Sequence, residues 1–140
     1  MTDDTRLAAL RWVLRLVAIF QALFWSATHL FFPAWYLRSI GADVTRADDP
    51  LVLLFMNEIG VLVLGLAIAT WIAASDPLRH VALILVLMAV GVGSVCVSLW
   101  HVLVKGFAFG EWTTIVAIGI QLGVVTALYP WSRLHSLLRR

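Results

Sequence analysis

The chain has 140 residues, of which 62% are hydrophobic and 13% charged, with a formal net charge of +2. An ordinary soluble domain carries roughly 25% charged residues, so the composition excludes one and points to an integral membrane protein. The basic residues are dispersed and end in a single pair, Arg139 and Arg140, too short for a nucleic-acid tract; anionic lipid headgroups are the partner that this balance suits.

Four apolar runs follow one another, Leu10–Phe32, Leu51–Ala74, Val81–Val104 and Trp112–Trp131. Each is near the roughly 20 residues that a helix needs to cross about 30 Å of hydrocarbon. The runs are continuously apolar and lack the alternation of a membrane barrel. They predict an all-α membrane fold, a bundle of four transmembrane helices forming a single domain over residues 1–140. The first run follows Arg6, Arg11 and Arg15 as a signal peptide would. It is too long for one, however, and ends in Phe31, Phe32, Pro33, Ala34 and Trp35 without a small-residue cleavage pattern, so it reads as an uncleaved anchor.

The next segment, Pro33–Pro50, holds Trp35, Tyr36, Arg38, Gly41 and the acids Asp43, Asp48 and Asp49. Its start, Pro33–Ile40, suits an interfacial segment, which either anchors the helix end within an aromatic belt, the commoner use, or lids a cavity that opens outward. Between the second and third runs, Asp76 and Pro77 predict a tight turn with Asp76 as N-cap and Pro77 as first helical residue. Gly106 and Gly110 mark the last hairpin. Arg6, Arg11, Arg15, Arg79, Arg133, Arg139 and Arg140 fall on one side of this layout, and Arg38, Arg46 and Lys105 on the other. The positive-inside rule then puts both termini in the cytoplasm. The single Cys96 lies inside the third run and supports no disulfide framework.

One acid stands inside an apolar run with no basic residue near it in sequence. Glu58, with Asn57 beside it, is expected roughly 10 Å below the outer end of the second helix. His29 and His101 come roughly 5 Å below the outer ends of the first and third, and Thr113 and Thr114 open the fourth. Helical spacing groups Gln21, Trp25, Thr28, His29 and Phe32 on one face; Glu58, Val61, Gly65 and Ala69 on a second; Gly91, Ser94, Ser98, His101 and Lys105 on a third; and Thr114, Ile118 and Gln121 on a fourth. These faces predict an outward-leaning polar pocket of Glu58, His29, His101, Asn57, Trp25, Trp100 and Thr114. Three uses of it stand open. A Glu58 hydrogen bond to His29 or His101 pins the helices together. Alternatively the layer binds a lipophile of quinone or lipid type, with Trp25 or Trp100 as aromatic wall. In the third, His29 and His101 ligate a metal or haem iron in a redox protein, or act with Glu58 in an enzyme. His80 and His135 sit at cytoplasmic helix ends and read as surface groups. No nucleophile elbow, P-loop or dinucleotide turn occurs, so enzyme activity is the less favoured reading.

The stretches Arg11–Leu16, Ala27–Pro33, Asn57–Gly60 with Gly65, and Ala74–Arg79 resemble the small bacterial membrane proteins grouped as DoxX-like, with BphX-like relatives. The resemblance implies a four-helix bundle of the bacterial inner membrane, in some cases an accessory subunit beside quinone-linked oxidoreductases. A second likeness, to bundles of the sterol-isomerase and sigma-2-receptor type, implies an intramembrane acid that holds a lipophilic cation; the several acids of that group are reduced here to Glu58. A bundle of 140 residues has a limited interior, which suits association within a larger membrane complex or a homo-oligomer, and Gly119 and Gly123 form a G-x-x-x-G pair that is common by chance.

Overall fold

The computed structural model describes residues 2–39, 49–105 and 110–132. Every regular element among them is helical: α1 (Asp3–Phe20), a π-helical turn (Gln21–Ser26), α2 (Ala27–Phe31), α3 (Pro33–Ser39), α4 (Pro50–Ser75), α5 (Val81–Lys105) and α6 (Gly110–Leu128). The first three run on as one rod, Asp3–Phe31. That rod, α4 and the stretch Val81–Val104 are each long and apolar enough to cross a membrane, and Trp112–Leu128 is a shorter apolar helix. At about 1.5 Å per residue, the 26 residues of α4 reach about 39 Å and the 19 of α6 about 28 Å, against roughly 30 Å of hydrocarbon. Expectations placed on Gly41, Asp43, Arg46, Asp48, Gly106, His135 and the C-terminal arginines lie outside the described residues.

Local chemistry sets the helix limits. The Thr2 hydroxyl accepts the Thr5 N–H at 3.3 Å, and Asp3 and Asp4 occupy the first turn, where the helix dipole favours anions. Helix one therefore starts well before the apolar run expected from Leu10. It stops at Phe32, whose φ of −134° and ψ of 42° leave the helical region, because Pro33 crowds the residue before it. Pro33 then opens α3 as its first residue. Asp49 caps α4 by accepting the Leu51 N–H at 2.8 Å. The Asp76 carboxylate accepts the Arg79 N–H at 3.3 Å, as the N-cap expectation requires, but residues 77–80 form a turn and α5 starts only at Val81. At the far end Pro130 stops α6 at Leu128, short of the expected Trp131.

α1 is the central element. It packs along α4 on one side and α6 on the other; α6 packs in turn on α5, and α5 touches α4. All four long helices meet at one end, where Leu10 and Leu14 of α1, Ala73 and Ala74 of α4, Ile84 and Leu87 of α5, and Val125 and Tyr129 at the end of α6 form one buried cluster. Toward the other end the helices hold together in pairs. A Cβ on Gly91 of α5 would come within 2.9 Å of Leu122 of α6, and one on Gly60 of α4 within 2.7 Å of the Leu30 side chain and 3.1 Å of its backbone nitrogen. Glycine at these two positions lets the backbones approach, which is how helices associate where lipid removes the hydrophobic driving force.

Gly60→Val is expected to lower the unfolding free energy in detergent by about 1–3 kcal/mol, the usual cost of overpacking, because the Leu30 backbone cannot retreat. Gly93→Ala, at a position where an added Cβ meets nothing within 4 Å, serves as the control and leaves stability within about 0.5 kcal/mol. Equal stability of the two variants would mean that α1 and α4 do not approach so closely.

Candidate functional site

The site is built on the seam between helix one and α4. The buried Ser26 hydroxyl donates to the Gly60 carbonyl at 2.9 Å, across the gap that glycine keeps narrow. One level toward the core cluster, Thr70 donates to the Leu66 carbonyl at 2.7 Å and approaches the buried Gln21 amide oxygen at 3.3 Å. Ser26 and Gln21 bound the π-helical turn. Within it the chain widens, so that the Ala27 N–H reaches the Ala22 carbonyl five residues back. Such turns are rare and disturb the ordinary carbonyl pairing. Here side chains join in: the Thr28 hydroxyl lies in bonding range of the Phe24 and Trp25 carbonyls, and His29 Nδ1 meets the Trp25 carbonyl at 2.6 Å. A carbonyl only accepts, so Nδ1 carries the proton of this bond. The His29 ring, itself buried, packs on Tyr36 of α3 with centroids 4.3 Å apart.

Two adjoining cavities lie on the other flank of helix one, between it and α6. The deeper, about 280 Å³, is bounded by Val13, Leu16 and Val17 of α1 and by Ile120, Gln121 and Val124 of α6. The second, about 360 Å³, is bounded by Phe24, by Trp35, Tyr36 and Ser39 of α3, and by Thr113 and Thr114. Phe20, Trp25 and Ala117 line both, which makes them one continuous groove. Its deep part is apolar save for Gln121, and hydroxyls gather at its upper end. α3 roofs that end. Residues 33–39 of the segment Pro33–Ile40 thus border the groove.

The polar layer expected from the sequence is divided by the structure. Trp25 and Thr114 line the groove, and His29 holds the roof through Tyr36. Glu58 is elsewhere. At about 100° per residue, Met56, Gly60, Ala67, Thr70 and Ala74 share the buried face of α4 toward helix one, and Glu58 falls nearly opposite. Its side chain and that of Asn57 are exposed, and neither forms a hydrogen bond or ion pair with a described residue. The expected stripe Glu58, Val61, Gly65 and Ala69 thus turns away from helix one, because close packing at Gly60 fixes the rotation of α4. His29 is bonded or stacked to Trp25, Thr28 and Tyr36 and to neither Glu58 nor His101. The half-buried His101 bonds through Nδ1 to the Val97 carbonyl of its own helix at 2.8 Å, and Trp100 beside it is exposed. Metal ligation by His29 and His101 has no third ligand to complete it: among the described residues no group of three or more His, Cys, Asp or Glu is placed to hold a metal ion.

Phe20, Ala117 and Val124 are groove residues that sequence reasoning passed over, since apolar residues in an apolar run carry no mark of a cavity. Tyr36 was visible only as part of an aromatic segment. Comparison with known proteins finds no family model that matches the chain, and no similar curated protein or solved structure.

His29→Leu is expected to leave the Trp25 carbonyl with the Thr28 hydroxyl alone as side-chain donor and to remove the ring contact under α3. Hydrogen exchange of the Ala34–Ser39 amides in detergent micelles should then speed up severalfold while the α4 amides keep their rates. Unchanged exchange in α3 would show that His29 does not hold the roof.

Proposed function

We propose that this chain is a small multi-pass protein of the bacterial inner membrane, with four crossing helices and both termini cytoplasmic, that binds a lipophilic small molecule of quinone or lipid type in the groove between helix one and α6. The basic residues favour that orientation. The observation that carries the binding role is the groove's gradient of polarity, from Val13, Leu16, Ile120 and Val124 at its deep end to Ser39, Thr113 and Thr114 at its upper end. An apolar cavity of roughly 150 Å³ already accepts benzene, and a groove of this size accommodates a ring with part of a chain. The tail packs between α1 and α6, Trp25 offers its ring as a wall, and the head meets hydroxyls at the level where α6 begins.

The role follows as retention or presentation of the lipophile, in the manner of an accessory subunit. This agrees with the resemblance to DoxX-like proteins and what it implies about quinone-linked partners. Haem, metal or isomerase chemistry shared by Glu58, His29 and His101 gains no support from the positions of these three residues.

Decyl-benzoquinone titrated into the purified protein should quench tryptophan fluorescence saturably, through Trp25 and Trp35. Ala117→Trp, which fills the waist of the groove, is expected to weaken binding at least tenfold, whereas Glu58→Gln leaves it unchanged. Loss of binding in Glu58→Gln with retention in Ala117→Trp would overturn this assignment.

A further inference from the structure

The face of α4 turned away from helix one is uncovered by the described residues, yet it carries an acid and an amide side by side. Asn57 and Glu58 line a shallow open depression with Val61 and Leu62. Along the same face Leu54, Val61, Gly65, Ile68 and Ile72 recur at helical spacing, all exposed, and a Cβ on Gly65 would meet nothing within 4 Å. The face therefore combines an apolar seam, a place for close backbone approach and two polar groups without a partner among the described residues. In hydrocarbon those two groups require partners at their own depth.

We propose that this face pairs with the same face of a second copy of the chain, in a parallel dimer whose two-fold axis runs along the membrane normal. Copies inserted with one topology present equivalent residues at equal depth. Asn57 and Glu58 lie about 100° apart around α4, on either side of the line through Leu54, Val61 and Ile72. A two-fold axis along that line sets Asn57 of one protomer beside Glu58 of the partner subunit, and the reverse on the other flank. The offset in depth is one residue, about 1.5 Å. The Asn57 amide N–H donates to a carboxylate oxygen; when Glu58 is protonated its O–H donates to the Asn57 carbonyl, and the same pair becomes doubly bonded. The pairing thus holds in both protonation states. What singles out a second copy is this self-complementarity: the donor that Glu58 needs is its own neighbour in sequence, displaced to the facing helix by symmetry. The interface is separate from the groove, which lies on the far side of helix one.

The test uses the full chain with Cys96→Ser, reconstituted in phosphatidylethanolamine and phosphatidylglycerol vesicles. Val61→Cys should form an intermolecular disulfide under mild oxidation, and Val90→Cys, exposed on α5, should not. Fluorescence energy transfer between labelled copies, followed as lipid dilutes the protein, gives the dissociation constant. Glu58→Leu and Asn57→Leu are each expected to raise it about tenfold, as for loss of an interhelical hydrogen bond in a membrane. Glu58→Asn alone should weaken the dimer, and Asn57→Glu combined with Glu58→Asn should restore it. Cross-linking at Val61 no faster than at Val90, or a dissociation constant unmoved by Glu58→Leu, would overturn the proposal. A Val61→Cys adduct in native membranes to a different polypeptide instead of a second copy would also overturn it.

Discussion

The narrow gap at Gly60 orients the rest of the molecule. The Ser26 hydroxyl reaches the Gly60 carbonyl only because Leu30 lies where a side chain on residue 60 would be. With α4 held in that rotation, the line of Met56, Gly60, Ala67, Thr70 and Ala74 is committed to helix one and Glu58 is directed away from it. Once α4 covers one flank of helix one, the opposite flank, with Phe20 and Trp25, is left to α6. Below them the helices close on the cluster around Leu14 and Tyr129; above, α6 stands off and the groove remains.

The π-helical turn stands at the junction of these two regions. By shifting the Ala27 N–H one residue further back, it changes the pairing of the carbonyls above it, and Thr28 and His29 supply side-chain donors there. His29 in turn supports Tyr36, so that a departure from α-helical winding in the span is linked to the position of the α3 roof outside it. A histidine that the sequence marks as a candidate ligand is, in the structure, a tie between a backbone irregularity and α3.

Much of this architecture is legible in the residues. The three longest apolar runs correspond to helices, the Asp76 carboxylate accepts an N–H at the expected turn although α5 starts only at Val81, and Gly91 of the stripe expected on α5 lies against Leu122 and Ile118 of α6. The rotation of α4 was not legible. Periodicity identifies a stripe through Glu58 and another through Gly60, but it does not say which faces inward, and the cost of burying a carboxylate in lipid, about 3 kcal/mol on insertion scales, argued for the wrong one. The decisive quantity is the distance between backbones, which depends on Leu30 in another helix. Depth along the helices aligned Glu58 with His29 and His101, but equal depth does not bring residues onto facing sides. The groove was illegible for a related reason, since Phe20, Ala117 and Val124 differ in nothing local from apolar residues that face lipid.

The proposed lipophile site lies between helix one and α6 and not around Glu58. The most direct measurement is photolabelling of the intact protein in vesicles with an alkyl-diazirine benzoquinone, followed by peptide mapping. Adducts concentrated on Leu16–Trp25 and on Ala117–Val124, and competed by unlabelled decyl-benzoquinone, are the predicted result. Competable adducts on Asn57–Leu62, or labelling spread evenly over all four long helices, would contradict it.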